Sequence, residues 1–160
     1  MNDQKLKVAK SGDREINAER WFDAPRDRVW QAFTDPELIQ QWWGPRETTT
    51  VVDTLELTPG GAWRFVERME DGTETAFRGE FREIKEPERI VWTFEWEGMP
   101  GHVAVDAVTF TERDGGTLVS TVSTFDSQED RDGMLESGME KGMGESYEQL
   151  AELLAKVASA

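Results

Sequence analysis

Few side chains in this sequence are equipped for chemistry, and they are quickly counted. Among 160 residues there is one histidine, His102, one tyrosine, Tyr147, and no cysteine. An imidazole titrates near neutrality and can serve as acid, base or hydrogen-bond donor. His102 follows Met99-Pro100-Gly101 in a loop leading into a strand. Glu67 has the strand parity of Trp63 and Phe65, and Asp53 that of Val51 and Leu55. A carboxyl group facing an apolar space has its pKa raised and can become a general acid. Tyr147 could aim its hydroxyl at the same space. Each has a plainer reading beside it: a loop histidine bonded to backbone, carboxylates at strand ends open to water, and a tyrosine packed in the core.

Other chemistries lack their residues. One histidine and no cysteine cannot form a conventional zinc site. Glu112-Arg113-Asp114-Gly115 lacks the alternating acidic pattern of a calcium loop and reads as a hairpin turn. No G-x-S-x-G elbow occurs, and Gly60-Gly61 precedes a strand rather than a phosphate-binding lysine. We therefore expect no metal and no cofactor. The net charge of −15 repels phosphate backbones and anionic lipid surfaces, so neither nucleic acid nor membrane is an expected partner. The first twenty residues lack an apolar stretch, and no run approaches the roughly 18 apolar residues of a membrane span. The chain reads as cytoplasmic. Its oligomeric state is open, a homodimer included.

Residues 1–13 are polar and aperiodic and read as a flexible tail, with one domain over 14–160. Glu15 to Phe22 alternates as a strand through Ile16 and Ala18. Asp23-Ala24-Pro25 and Thr34-Asp35-Pro36 each resemble a helix start, with a carboxylate cap followed by proline in the first turn. The helices they begin carry Val29, Trp30 and Phe33, then Leu38, Ile39 and Trp42, before Gly44-Pro45. Strands are expected at 48–57, 63–69, 75–84, 90–96, 103–112 and 117–125, divided by glycine- and proline-rich turns. Their parity separates an aromatic face from a charged one. Trp63, Phe65, Phe77, Phe81, Trp92 and Phe94 fall on the first, and Arg64, Arg78 and Arg82 on the second.

A long helix over about 130–158 is the expected cover for the aromatic face, through Leu135, Met139, Met143, Tyr147, Leu150 and Leu154. Gly133, Gly138, Gly142 and Gly144 each cost such a helix roughly 1 kcal/mol against alanine. They imply close approach to the sheet, a bend, or room beside the mobile methionines. Adjacent Trp42 and Trp43 are expected to diverge, one inward and one outward, as a gate or a protein contact.

These pieces resemble the activator-of-heat-shock-protein-ATPase-like proteins of the START-like, or SRPBCC, helix-grip superfamily. The resemblance is carried by FDAPRDRVWQAFTDPELIQQWWGP (22–45), PGGAWRF (59–65), DGTETAFRGEFREIKEPERIVWTFEWEGMPGH (71–102), VTFTERDGGT (108–117) and EDRDGMLESGMEKGMGESYEQLAELL (129–154). It implies an α+β helix-grip fold: a curved antiparallel sheet wrapped around a long C-terminal helix, two short helices after the first strand, and a cavity between helix and sheet. It does not imply one activity, since members of the superfamily bind lipids, hormones and polyketides and some are cyclases.

The expected function is noncatalytic binding of a small apolar or aromatic molecule in that cavity. Its expected lining is Trp43, Trp63, Phe65, Glu67, Phe77, Phe81, Trp92, Phe94, His102, Met139, Met143 and Tyr147. A protein-interaction, co-chaperone-like module and a polyketide cyclase or dehydratase using His102, Glu67 and Tyr147 are the alternatives.

Overall fold

The computed structural model describes residues 5–158, with the side chains of the last two left out of the description. Eight strands form one antiparallel sheet in the order β1-β2-β8-β7-β6-β5-β4-β3. They run Lys7–Ser11, Glu15–Phe22, Thr49–Leu55, Ala62–Arg68, Glu74–Lys85, Arg89–Trp96, Val103–Arg113 and Gly116–Thr124 for β1 to β8. Helices α1 (Arg26–Thr34) and α2 (Pro36–Trp42) fill the crossover from β2 to β3, and α3 (Gln128–Glu136) and α4 (Met139–Ala158) close the chain. The fold is the expected helix-grip arrangement.

Two expectations need correction. Lys7–Ser11, read from sequence as part of a loose tail, pairs with Glu15–Glu19 as an edge strand, its backbone satisfied by the ladder. Residues 1–4 of that tail lie outside the described residues. The long C-terminal helix is two helices, broken at Ser137-Gly138. Gly138 has φ +88°, a left-handed conformation that side chains with a Cβ resist.

Helix starts follow local chemistry unevenly. Asp35 caps α2 by accepting a hydrogen bond from the Glu37 N–H at 3.0 Å, with Pro36 in the first turn. Ser127 caps α3 through the Asp130 N–H at 3.0 Å. Asp23 does not cap α1. Pro25 occupies that position, with no side-chain cap.

The inner face of the sheet is apolar, as its parity predicts. Trp63, Phe65, Phe81, Ile90, Val108, Phe110 and Val119 are buried there, and Tyr147, Leu150 and Leu154 of α4 pack against them. Phe33 of α1 joins the layers, with ring centroids 4.8 Å from Trp42, 5.1 Å from Phe110 and 6.3 Å from Tyr147. Asp53, at a bulge between Val52 and Thr54, lies on the outer face with the exposed Val51 and meets Arg64 at 3.5 Å. Asp53 therefore leaves the set of inward carboxyls.

Candidate ligand-binding cleft

Seven of the twelve residues singled out from sequence form one aromatic cluster. The Trp63 ring contacts Phe65 at 4.8 Å, Trp92 at 5.4 Å and Phe94 at 5.7 Å. Phe77 stacks on Phe94 at 5.2 Å, and Phe81 lies 5.9 Å from Trp92. Trp43 closes over this group, 5.0 Å from Phe65 and 6.3 Å from both Trp63 and Trp92. Edge and tilted geometries dominate, as ring quadrupoles prefer.

The position of Trp63 depends on a glycine. Its indole N–H donates to the Thr93 carbonyl at 3.0 Å. A Cβ on Gly79 would lie 2.5 Å from that nitrogen and 1.9 Å from the same carbonyl oxygen. Only glycine lets the indole cross its neighbour strand there.

Trp42 and Trp43 do not divide as expected. Trp42 is buried at 2% exposure, its indole N–H donating to the Ala32 carbonyl at 2.9 Å. Trp43 also turns inward, though it remains half-buried. No outward tryptophan patch forms at this pair. The exposed tryptophan is Trp96, at the end of β6.

The segment after Trp43 is tied to α4. The Gly44 N–H donates to Ser146 Oγ at 2.9 Å, and Gln149 Nε2 donates to the Gly44 carbonyl at 2.8 Å. The Arg46 N–H donates to Glu145 at 3.1 Å, and its guanidinium pairs with Glu152 at 2.6 Å. One turn before Ser146 the contacts thin out. A Cβ added at Gly142 or Gly144 would meet no atom within 4 Å. The close-approach reading of these two glycines is thereby overturned, and the helix has room beside them.

Trp43, Glu67, Phe77, Phe94, Asp106 and Met143 all point inward yet keep accessible surface, while Trp63, Phe65 and Phe81 beneath them are 1% exposed. Met143 packs on the aromatic cluster. Met139 packs instead on a second, smaller cluster of Ile16, Ala104 and Phe125.

Two carboxyl groups border the tryptophans. Burial pushes Glu67 up to about 7, against the opposing pull of a hydrogen bond from Trp43. Asp106, which the sequence reading missed, accepts the Trp92 indole N–H at 3.2 Å. Burial raises its pKa too, opposed by hydrogen bonds to Ser123 and Trp92. Asp106 was legible in principle, since it shares strand parity with Ala104, Val108 and Phe110. Its strand carries a single aromatic residue, Phe110, so the aromatic alternation that marks the neighbouring strands does not mark β7.

Tyr147 is sealed within the core, and His102 lies outside it. Tyr147 is buried against Phe22 at 5.5 Å and hydrogen-bonded to Thr121, and burial drives its pKa upward. His102 is exposed before β7, its Nδ1 3.0 Å from Asp130 of α3. The structure thus places the three acid–base candidates in three different surroundings.

A separate depression of about 490 Å³ lies on the outer face, bordered by Arg64, Arg78 and Arg82. Arg64 is engaged bidentately by Glu97 at 2.7 and 3.0 Å, and Arg78 by Glu95 at 3.1 Å. Of the residues predicted for ligand contact, Trp63 alone borders it. No group of three or more His, Cys, Asp or Glu suited to a metal ion occurs among the described residues. Among the same residues, no helix is long and apolar enough to cross a membrane.

Comparison with known proteins adds family and fold. Residues 23–155 match the family model described as activator of Hsp90 ATPase homolog 1-like protein. A Rhodobacter sphaeroides protein of known structure superposes with a TM-score of 0.89 at 22% identity, covering 95% of this chain and 99% of its own. An Arthrobacter aurescens protein gives 0.86 at 29% identity, covering 94% and 91%. Protein Ms6760 of Mycobacterium smegmatis gives 0.81 at 27%, covering 92% and 97%. No curated protein matches the sequence.

Proposed function

The chain belongs to the activator of Hsp90 ATPase homolog 1-like family, and on that premise we propose that it binds a small apolar or aromatic molecule, without catalysis, in the cleft between α4, the Trp43 segment and the inner face of the sheet. One observation carries the reading. Inward-facing Trp43, Phe77, Phe94 and Met143 retain accessible surface beside a cluster of buried rings, which supports an apolar recess reachable from solvent there. An apolar lining with a few polar groups is the usual composition of a ligand site.

The separation of His102, Glu67 and Tyr147 weighs against a cyclase built on those three, because acid–base partners must reach a common substrate. A co-chaperone-like contact through Trp42 and Trp43 loses its motive, since Trp42 is buried and Trp43 turns inward.

The test is calorimetric titration with 1-naphthylmethanol, a neutral aromatic probe, together with native mass spectrometry of the purified protein. Saturable binding of one molecule per chain is expected, weakened about tenfold or more in Met143→Trp, which fills the space. Absence of saturable binding by this or any apolar probe would overturn the proposal.

A further inference from the structure

Two arginines are buried among the described residues, and only one of them is satisfied. Arg131 of α3 is 2% exposed, and its guanidinium donates to Asp132 at 2.7 Å and to the carbonyls of Gly12 and Glu15 at 3.1 Å each. Arg20 of β2 is 4% exposed, and its Nε and Nη1 are buried with no acceptor among the described residues. A buried guanidinium without acceptors has given up hydration and received nothing for it, which is why folded proteins pair such groups. Arg131 shows how this fold holds an arginine for structure, and Arg20 departs from that pattern.

The surroundings of Arg20 offer it attraction but no acceptor. Its guanidinium lies 4.9 Å from the Phe22 ring centroid, over an aromatic face that attracts a cation. Glu148 of α4 stops 3.7 Å from Nη1, beyond hydrogen-bond distance, and its own side chain is 56% exposed. Tyr147, the other ionisable neighbour, is held neutral by burial. Glu145 and Glu152, on the adjoining turns of α4, are taken by Arg46, through its N–H at 3.1 Å and its guanidinium at 2.6 Å. Gly144 lies one turn before Glu148 on the same helix face, and a Cβ there would meet no atom within 4 Å. The Glu148 carboxylate therefore has room to move.

We propose that Arg20 anchors a carboxylate-binding site between β2 and α4, where the carboxylate of a small organic acid takes the position that Glu148 approaches without reaching, and Glu148 swings into solvent. A carboxylate matches the guanidinium fork with two parallel N–H···O bonds, each strengthened by charge. Its single charge balances the single guanidinium, whereas a phosphate dianion would leave one charge unmatched beside Glu148. Phe22 and Val119, which faces Arg20 across the β2–β8 ladder, suit a short apolar body. The net charge of −15 repels anions at a distance, but that effect is screened over about 8 Å at 0.15 M salt, and a buried contact is screened much less. This site is separate from the aromatic cleft, since β8, β7, β6 and β5 stand between β2 and the strand of Trp63 and Phe65.

The experiment titrates nitrogen-15-labelled protein with benzoate and with benzyl alcohol, its neutral counterpart, in about 0.15 M salt at pH 8, following the Arg20 Nε–H resonance. Benzoate is expected to move that resonance saturably, and benzyl alcohol to leave it in place. Arg20→Gln, checked for folding by circular dichroism, should weaken benzoate by about tenfold or more, the worth of a charge-assisted pair of hydrogen bonds. Arg20→Lys keeps the charge without the fork and should fall between the two. Glu148→Gln removes the competing carboxylate from an exposed position and should tighten benzoate about threefold. A purely structural Arg20–Glu148 pair predicts otherwise, with no response of wild type to benzoate and only a loss of stability in Glu148→Gln. An unmoved Nε–H resonance overturns the proposal, as does an equal response to benzyl alcohol. Benzoate affinity unchanged in both Glu148→Gln and a folded Arg20→Gln overturns it too, because binding would then lie elsewhere. Should Arg20→Gln fail to fold, the Glu148→Gln titration decides alone. The cleft proposed above stands or falls separately, on 1-naphthylmethanol.

Discussion

At the scale of single residues, Glu67 and Gly79 carry the sharpest consequences. Glu67 titrates at about 7 in the folded chain, against an ordinary value of 4.5. The folded state holds this proton more tightly than the unfolded state does. The penalty for ionising it is absent below 4.5 and complete above 7, so its effect is to lower stability as pH rises through that window. Glu67→Gln keeps a carbonyl acceptor for Trp43 and removes the penalty. Thermal melts should show the variant above wild type at pH 8, with the difference closing as pH falls towards 4.5. Identical melting curves at both ends would show that burial does not perturb this group. At Gly79, an added methyl would strike the Thr93 carbonyl and the Trp63 indole. Gly79→Ala should cost on the order of 3 kcal/mol in urea unfolding and alter Trp63 fluorescence, because an overpacked sheet must move backbone.

At the scale of elements, the paired terminal helices determine how the cleft opens. Gly138 ends the possibility of one continuous helix by adopting φ +88°. Ser146, Gln149 and Glu145 then fasten the Trp43–Arg46 segment to α4, whereas Gly142 and Gly144 face open space. A helical glycine with space around it is replaceable without steric cost. Gly142→Ala should therefore stabilise the fold by roughly 1 kcal/mol, read from the chemical denaturation midpoint. Gly142→Phe should leave the melting temperature near wild type and reduce binding of 1-naphthylmethanol. A large loss of stability in Gly142→Ala would mean that this face of α4 is packed after all.

At the scale of the whole molecule, a net charge of −15 on 160 residues makes self-repulsion a global term. Added salt screens it, with a Debye length falling from about 30 Å at 0.01 M to about 3 Å at 1 M. The melting temperature at pH 8 should rise with sodium chloride over that range, and the rise should shrink near pH 4.4, where the chain is close to neutral. Indifference to salt at pH 8 would show that local pairs such as Arg64–Glu97 absorb the repulsion. The helix-grip fold was legible in sequence because inner and outer positions alternate along the strands, and because turn residues punctuate them at regular intervals. Trp63, Phe65 and Phe81 could be assigned to the inner face from parity alone. Parity groups residues without saying which group is inner, so it failed at Asp53, whose parity mate Val51 is itself exposed, and it passed over Lys7–Ser11, whose edge strand is defined by pairing rather than pattern. The inward turn of Trp43, the separation of His102 from the aromatic cluster, and the juxtaposition of Asp106 with Trp92 were decided by tertiary structure alone. Each depends on the direction of a side chain relative to a distant element, and one-dimensional spacing holds no information about that direction.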